Sequence, residues 1–327
     1  MGKSGRRPVV TAGKKWYNMV NRRETEHPMK ELLFIYNPHA GQSKVRGKVS
    51  DILNAFVHQG FLPTAYPTQA AGDATELVRS VGKDYQRIVC CGGDGTLHEV
   101  VAALMEMENP PVLGYIPAGT TNDFSKNLDL PRDMTKAAQV AAGDNVLVCD
   151  MGRFNAMSFV YVAAFGAFTE VSYDTPQPFK NLFGHLAYVL EGIGHLGSIR
   201  SYRMTVEHDQ GTLEGEFIFG MVGNTRSVGG FKGWPADQVK LDDGKFEVIL
   251  VRPPKNPMEL QTILMSVITQ NPGAEGPLIG FHTAHLKVIC DEDVAWTLDG
   301  EFGGDHRAVE IENICQALRL CRGEGKS

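Results

Sequence analysis

The chain has 327 residues, of which 43% are hydrophobic, with six cysteines and a formal net charge of −6. That length exceeds what one hydrophobic core usually serves, so two domains are expected, and no apolar run approaches the roughly 18 residues that cross a bilayer; even Phe159 to Phe168 stops after ten. Cys90 and Cys91 are adjacent in a strand-like run and no C-x-x-C pair exists, which argues against a disulfide framework or a zinc site and for a cytoplasmic protein.

Residues 1–28 read as a basic disordered extension. The first thirty residues hold eight Lys/Arg against two Glu, a balance of +6 that leaves −12 for the rest. The extension lacks the apolar core of a signal peptide, Arg6 stands where a myristoylation motif wants Ser or Thr, and Met29 is an alternative start. Its cations could attract an anionic membrane, but charge runs are more often simply solvated, and no role is assigned to it.

From residue 29 to 151 short apolar strands at Leu32–Tyr36, Arg87–Cys91, Leu113–Pro117 and Val146–Cys149 alternate with helical stretches near 44–59, 73–82, 96–107 and 133–142. This alternation predicts a parallel sheet in a three-layer α/β domain, with Asp73 and Asp133 as helix N-caps. Ligands of such sheets bind at the carboxyl ends of the strands. Three of those ends carry glycine-containing polar loops: Asn37-Pro38-His39-Ala40-Gly41, Gly92-Gly93-Asp94-Gly95 and Ala118-Gly119-Thr120-Thr121-Asn122-Asp123. Each alone is an ordinary turn sequence, but three converging on one edge make an anion pocket.

The second loop is the most informative. Glycines let a backbone approach an anionic ligand, and the N–H groups opening the following helix carry the positive end of its dipole, so Asp94 would hold a cation beside a phosphate. A ligand-free account also exists: Thr96-Leu97-His98-Glu99 fits a capping box, with Thr96 as cap and Glu99 reaching back to the Thr96 amide. A capping box does not require the glycines and the aspartate, so ligand binding is the favoured reading and Glu99 is expected to be structural.

Beyond residue 152 longer strands at Met157–Phe165, Tyr202–Glu207, Glu214–Val222 and Phe246–Val251, with turns at Asp209-Gln210-Gly211 and Asp243-Gly244, predict a mainly β domain over 152–311. A helix is expected over Phe179–Leu196, with an apolar face suited to a lipid cleft. The segment around 312–327 is expected to pack back on the α/β domain. Val294–Phe302 has two readings: an extended segment with Asp299 and Glu301 on one face as an acid-base pair, or a hairpin turning at Asp299-Gly300, which local pattern favours.

These elements resemble the catalytic region of the diacylglycerol kinase family, specifically the soluble bacterial lipid kinases, over roughly residues 30 to 315. The resemblance rests on Asn37 to Gly41, Gly72-Asp73-Ala74-Thr75, Gly92 to Thr96, Ile116 to Phe124, Leu241-Asp242-Asp243-Gly244 and Leu298-Asp299-Gly300-Glu301, in that order. It implies the two-domain NAD kinase/diacylglycerol kinase-like fold, with a C-terminal β-sandwich domain. It also implies transfer of the ATP γ-phosphate to the hydroxyl of a neutral glycerolipid.

By motif match Asn37, Pro38, His39, Ala40, Gly41, Thr68, Gly93, Asp94, Gly95, Thr96, Leu97, His98, Glu99 and Thr120 would contact ATP. Asp94 would face the catalytic Mg²⁺, Asp123 would support the nucleotide end, and Glu301 would be the general base, with Asp299 orienting it. A second, structural Mg²⁺ is matched to Lys240, Asp243 and Lys245, of which only Asp243 offers a carboxylate. His98 stands where relatives usually carry Asn and is expected to be a helix-surface residue without a catalytic part.

The resemblance further implies transient contact with the inner membrane face, where the lipid lies; a homodimer is left open and no nucleic-acid partner is expected. NAD kinase shares the glycine motif but not the Ile116–Phe124 and Leu298–Glu301 patterns, and other lipids remain alternative acceptors. A non-catalytic lipid-binding regulator would be expected to have lost Asp94, Asp123 or Glu301.

Overall fold

The computed structural model describes residues 29–41, 43–166, 200–226, 228, 234, 235 and 238–324. The basic extension and the helix expected over Phe179–Leu196 lie outside the described residues. Strands β1 (Lys30–Tyr36), β2 (Phe61–Pro67), β3 (Arg87–Gly92) and β4 (Val112–Pro117) pair in parallel in the order β2-β1-β3-β4. All six residues of β3 are buried, because helices cover both faces of the sheet. On one face lie α1 (Val49–His58) and α4 (Met134–Ala141), packing through Ile52, Phe56, Ala137 and Ala141. On the other lie α2 (Asp73–Val81) and α3 (Asp94–Leu104), packing through Ala74, Val78, Leu97 and Val100.

The small residues set the spacing of these layers. A Cβ on Gly114 of β4 would stand 2.5 Å from the Ala141 carbonyl oxygen of α4, so only glycine lets that helix seat. Asp133 caps α4 as expected, accepting a hydrogen bond from the Lys136 amide at 2.9 Å. The expectation for Asp73 is corrected. Gly72, at φ 82°, is the N-cap of α2, and the Asp73 carboxylate instead accepts from the Gln69 amide at 2.7 Å and the Tyr66 hydroxyl at 3.1 Å. Strand β2 was not anticipated because it contains Pro63 and Pro67; it tolerates them as the edge strand of the sheet.

The remaining strands pair antiparallel with one another: β5 (Val146–Phe154), β6 (Met157–Phe159), β7 (Val162–Gly166), β8 (Tyr202–His208), β9 (Gly211–Phe217), β10 (Phe219–Gly223), β11 (Phe246–Val251), β12 (Leu278–Thr283), β13 (His285–Leu298) and β14 (Glu301–Cys321), with helix α5 (Pro257–Ile268) between β11 and β12. The main path of the sheet runs β12-β11-β10-β7-β13-β14-β4-β3-β1-β2. Its antiparallel half is cored by Trp296, whose ring lies 5.1 Å from Phe154 and 4.8 Å from Phe165, centroid to centroid.

Two strand expectations are corrected here. Val146–Cys149 was expected in the parallel set, but β5 runs antiparallel to β14, because the end of β14 takes the place beside β4, pairing Leu320 with Leu113. The run Met157–Phe165 breaks at Val160-Tyr161, whose amides turn to a carboxylate described below. Among the described residues no helix is long and apolar enough to cross a membrane.

Candidate active site

The three glycine loops meet. Asn37 follows β1, donates its amide to Cys91 O at 2.9 Å, and accepts from the His39 amide through its side-chain oxygen at 2.9 Å, which folds Pro38 to Gly41 into a turn. Thr68, at the end of β2, donates its amide to Tyr36 O at 2.9 Å and so lies at the same strand end. Gly41 adopts φ 58°, and a Cβ there would stand 2.6 Å from Ala118 O in the third loop. A Cβ on Gly119 would stand 2.6 Å from the Gly93 Cα, so the second and third loops are in backbone contact. Thr120 is exposed on that third loop.

Helix α3 begins at Asp94 with extended Gly93 as its N-cap and no side-chain cap, leaving its first amides without the partner that Asp133 gives α4. This corrects the capping-box reading. Thr96 lies inside the helix and packs on Gly92, while the Glu99 carboxylate turns away to accept from the Gly72 amide at 2.9 Å and the Ala74 amide at 3.2 Å. Glu99 thus caps α2, not its own helix, and its carboxylate is structural. Leu97 is fully buried in the core below the loop.

Asp94 accepts from the Asp123 amide at 3.2 Å through Oδ2, whereas its Oδ1 is buried with no hydrogen-bond partner. Burial, with the neighbouring carboxylates of Asp123 and Asp299, pushes the Asp94 carboxyl up to about 6. Asp123 is itself 2% exposed and takes the Lys126 ammonium at 2.7 Å. An orphaned carboxylate oxygen in an acidic cluster beside an uncapped helix N-terminus fits a hard cation held against an anionic ligand.

From the antiparallel half, β13 and β14 are joined by a two-residue turn at Asp299 (φ 53°) and Gly300 (φ 90°), pairing Leu298 with Glu301. The hairpin reading holds and the one-face extended pair does not. The exposed Glu301 carboxylate lies over Gly95 of α3, with Oε1 3.5 Å from where a Gly95 Cβ would stand. Asp299 is not aimed at Glu301. Its Oδ2 accepts from the Val160 amide at 2.7 Å and its Oδ1 from the Tyr161 and Val162 amides at 2.9 and 3.2 Å. His98, expected as a free helix-surface residue, places Nδ1 2.8 Å from Asp299 Oδ2.

Sequence reasoning gave Asn122 no role, yet it holds the third loop. At φ 48° it accepts from the Gly119 amide at 2.8 Å and donates to Gly119 O at 2.7 Å. Its signal was an Asn within a Gly-Thr-Thr-Asn-Asp turn. The proposed structural metal residues lie elsewhere, in the turn before β11. Asp243 Oδ1 accepts from the Lys245 amide at 3.1 Å, and the buried Asp150 accepts from the Gly244 and Gln316 amides, each at 2.6 Å. Among the described residues no group of three or more His, Cys, Asp or Glu side chains could hold a metal.

Convergent glycine loops around an under-partnered aspartate, faced by a carboxylate from a second region, suit an anionic ligand held with a cation. Residues 31–154 match the diacylglycerol kinase catalytic domain family. The chain is 36% identical over 289 residues to the diacylglycerol kinase of Staphylococcus haemolyticus (strain JCSC1435), covering 88% of this chain and 86% of that one. It is 34% identical over 278 residues to the diacylglycerol kinase of Bacillus subtilis (strain 168), covering 84% and 91%. A solved diacylglycerol kinase structure from Bacillus anthracis str. Sterne superposes with a TM-score of 0.70 at 21% identity, over 90% of this chain and 97% of that one, a likeness of fold. The chain belongs to the diacylglycerol kinase family and is an enzyme of the lipid kinase class.

Proposed function

We propose that the chain transfers the γ-phosphate of ATP to the free hydroxyl of diacylglycerol, giving phosphatidic acid and ADP. The observation that carries this reading is the Glu301 carboxylate lying over Gly95, one residue from Asp94. The loops Asn37–Gly41, Gly93–Thr96 and Gly119–Thr120 would cradle the nucleotide phosphates with backbone amides. Glu301 takes the proton of the lipid hydroxyl, whose oxygen forms the new bond to the γ-phosphorus as the bond to ADP breaks. Asp94 would hold Mg²⁺ with its orphaned Oδ1, Asp123 lying beside it; when bound, the ion neutralises charge on the phosphates.

Diacylglycerol lies in a bilayer, so the protein works at the cytoplasmic face of the membrane by transient contact. The test is a radiolabelled γ-phosphate transfer assay with Mg²⁺, offering diacylglycerol, monoacylglycerol, sphingosine, ceramide and NAD separately, with Asp94→Ala and Glu301→Ala as controls. Labelled phosphatidic acid, lost in both variants, is the expected result; label on NAD or on a sphingoid lipid alone overturns the acceptor. Sedimentation with diacylglycerol-containing vesicles in the presence of Mg-ATP is expected, and its failure overturns the membrane contact.

A further inference from the structure

His98 and Gly95 are three residues apart on α3, so they share the helix face that meets the β13–β14 turn. At one end of that face Gly95 leaves room for Glu301; one turn on, His98 bonds Asp299 at 2.8 Å. A carboxylate only accepts, so this bond requires the proton on Nδ1. Asp299 is 5% exposed; its Oδ1 is held by the Tyr161 and Val162 amides, its Oδ2 by the Val160 amide beside His98, and its own amide donates to Val162 O at 2.8 Å. The turn is therefore rigid toward the antiparallel half, and His98 is the hydrogen bond that ties it to the glycine-loop helix. Burial disfavours charge on His98, but the Asp299 hydrogen bond and the charges of Asp299, Glu301 and Glu99 outweigh it and raise its pKa.

We infer that His98 is a positioning residue: through Asp299 it latches the β13–β14 turn to α3 and thereby fixes the Glu301 carboxylate over the glycine loop. The latch rests on the reading of Glu301 as the base. It joins two regions that each supply part of the reaction, and a base displaced by even 1 Å loses much of its effect. On this reading His98 acts through its Asp299 partner and not by contact with the reacting groups.

The experiment compares wild type, His98→Ala and His98→Asn in the transfer assay with diacylglycerol vesicles and Mg-ATP. Hydrogen exchange is followed in parallel over residues 157–166 and 294–303. Loss of one charge-assisted bond predicts that His98→Ala lowers kcat about tenfold while KM for ATP changes less than about threefold. His98→Asn, which can still donate to Asp299, recovers most of kcat. Exchange of the amides that Asp299 holds rises in His98→Ala and returns toward wild type in His98→Asn.

Unchanged kcat and exchange in His98→Ala overturn the latch. So does a raised KM for ATP with kcat intact, which makes His98 a nucleotide contact, or equal kcat loss in both variants with unchanged exchange. If wild type labels no diacylglycerol, the reaction reading fails while exchange still decides the latch.

Discussion

Asp94 and Asp299 both place carboxylates where α3 meets the β13–β14 turn, and the protein treats them in opposite ways. Asp299 receives three backbone amides and His98. Asp94 receives the Asp123 amide on one oxygen, and its other is buried with no partner. A buried carboxylate that is fully bonded organises structure; one left short of donors, with its pKa pushed up to about 6, is held ready for a ligand. On the proposed reaction, the same motif set separates into a residue that builds the turn and a residue that serves the chemistry.

That separation is broken most directly by Asp94→Asn. Phosphate transfer is expected to fall by at least about 10³-fold, because charge stabilisation is the largest contribution to phosphoryl transfer. Stability should move the other way. The folded carboxyl holds its proton up to about 6, against an ordinary 3.8, so between those values the native state binds more protons and stability falls as pH rises. At pH 8 without divalent cations the variant should melt at or above wild type. A substantially lower melting temperature would make Asp94 structural and dissolve the contrast.

Glu301→Gln should come next, with kcat lowered about 10²-fold, as for loss of a general base, and KM for ATP little changed. Glu301 is exposed, so its melting temperature should match wild type. Asp299→Ala tests the other side. It strands the Val160, Tyr161 and Val162 amides and should cost about 2–5 kcal/mol of stability by denaturant unfolding. If Asp299→Ala lost activity with stability intact, Asp299 would belong with Asp94.

The α/β half was legible because its signals are local. Strand runs, glycine loops and the Asp133 cap depend on neighbours within a few residues, and the convergence of Gly41, Gly93 and Gly119 followed from strand order. What escaped was non-local. Glu99 caps a different helix from its own, which no spacing along the chain encodes. The direction of β5 depended on β14 returning from far along the chain to lie beside β4. His98 looked like a surface residue until the hairpin brought Asp299 to it. β2 was hidden by prolines that only an edge position excuses.

The smallest expected effect lies outside the site, in a third buried carboxylate. Glu247 of β11 is 2% exposed, its Oε2 has no partner, and burial pushes its pKa up to about 9. His282 lies 3.9 Å away, but burial lowers its pKa and so disfavours the charge that would offset the cost of ionising Glu247. An unfolded glutamate releases its proton near the ordinary 4.5, whereas the folded one holds it to about 9. Across that window the native state binds more protons, so this group's contribution to stability declines as pH rises. Glu247→Gln keeps the shape and removes the ionisation. Its melting temperature should fall less than that of wild type between pH 5 and pH 9, with a gain of a few degrees at the alkaline end and unchanged transfer activity. Parallel melting curves across that range would mean that Glu247 finds a partner when it ionises, and would leave Asp94 as the carboxylate whose isolation the fold sustains.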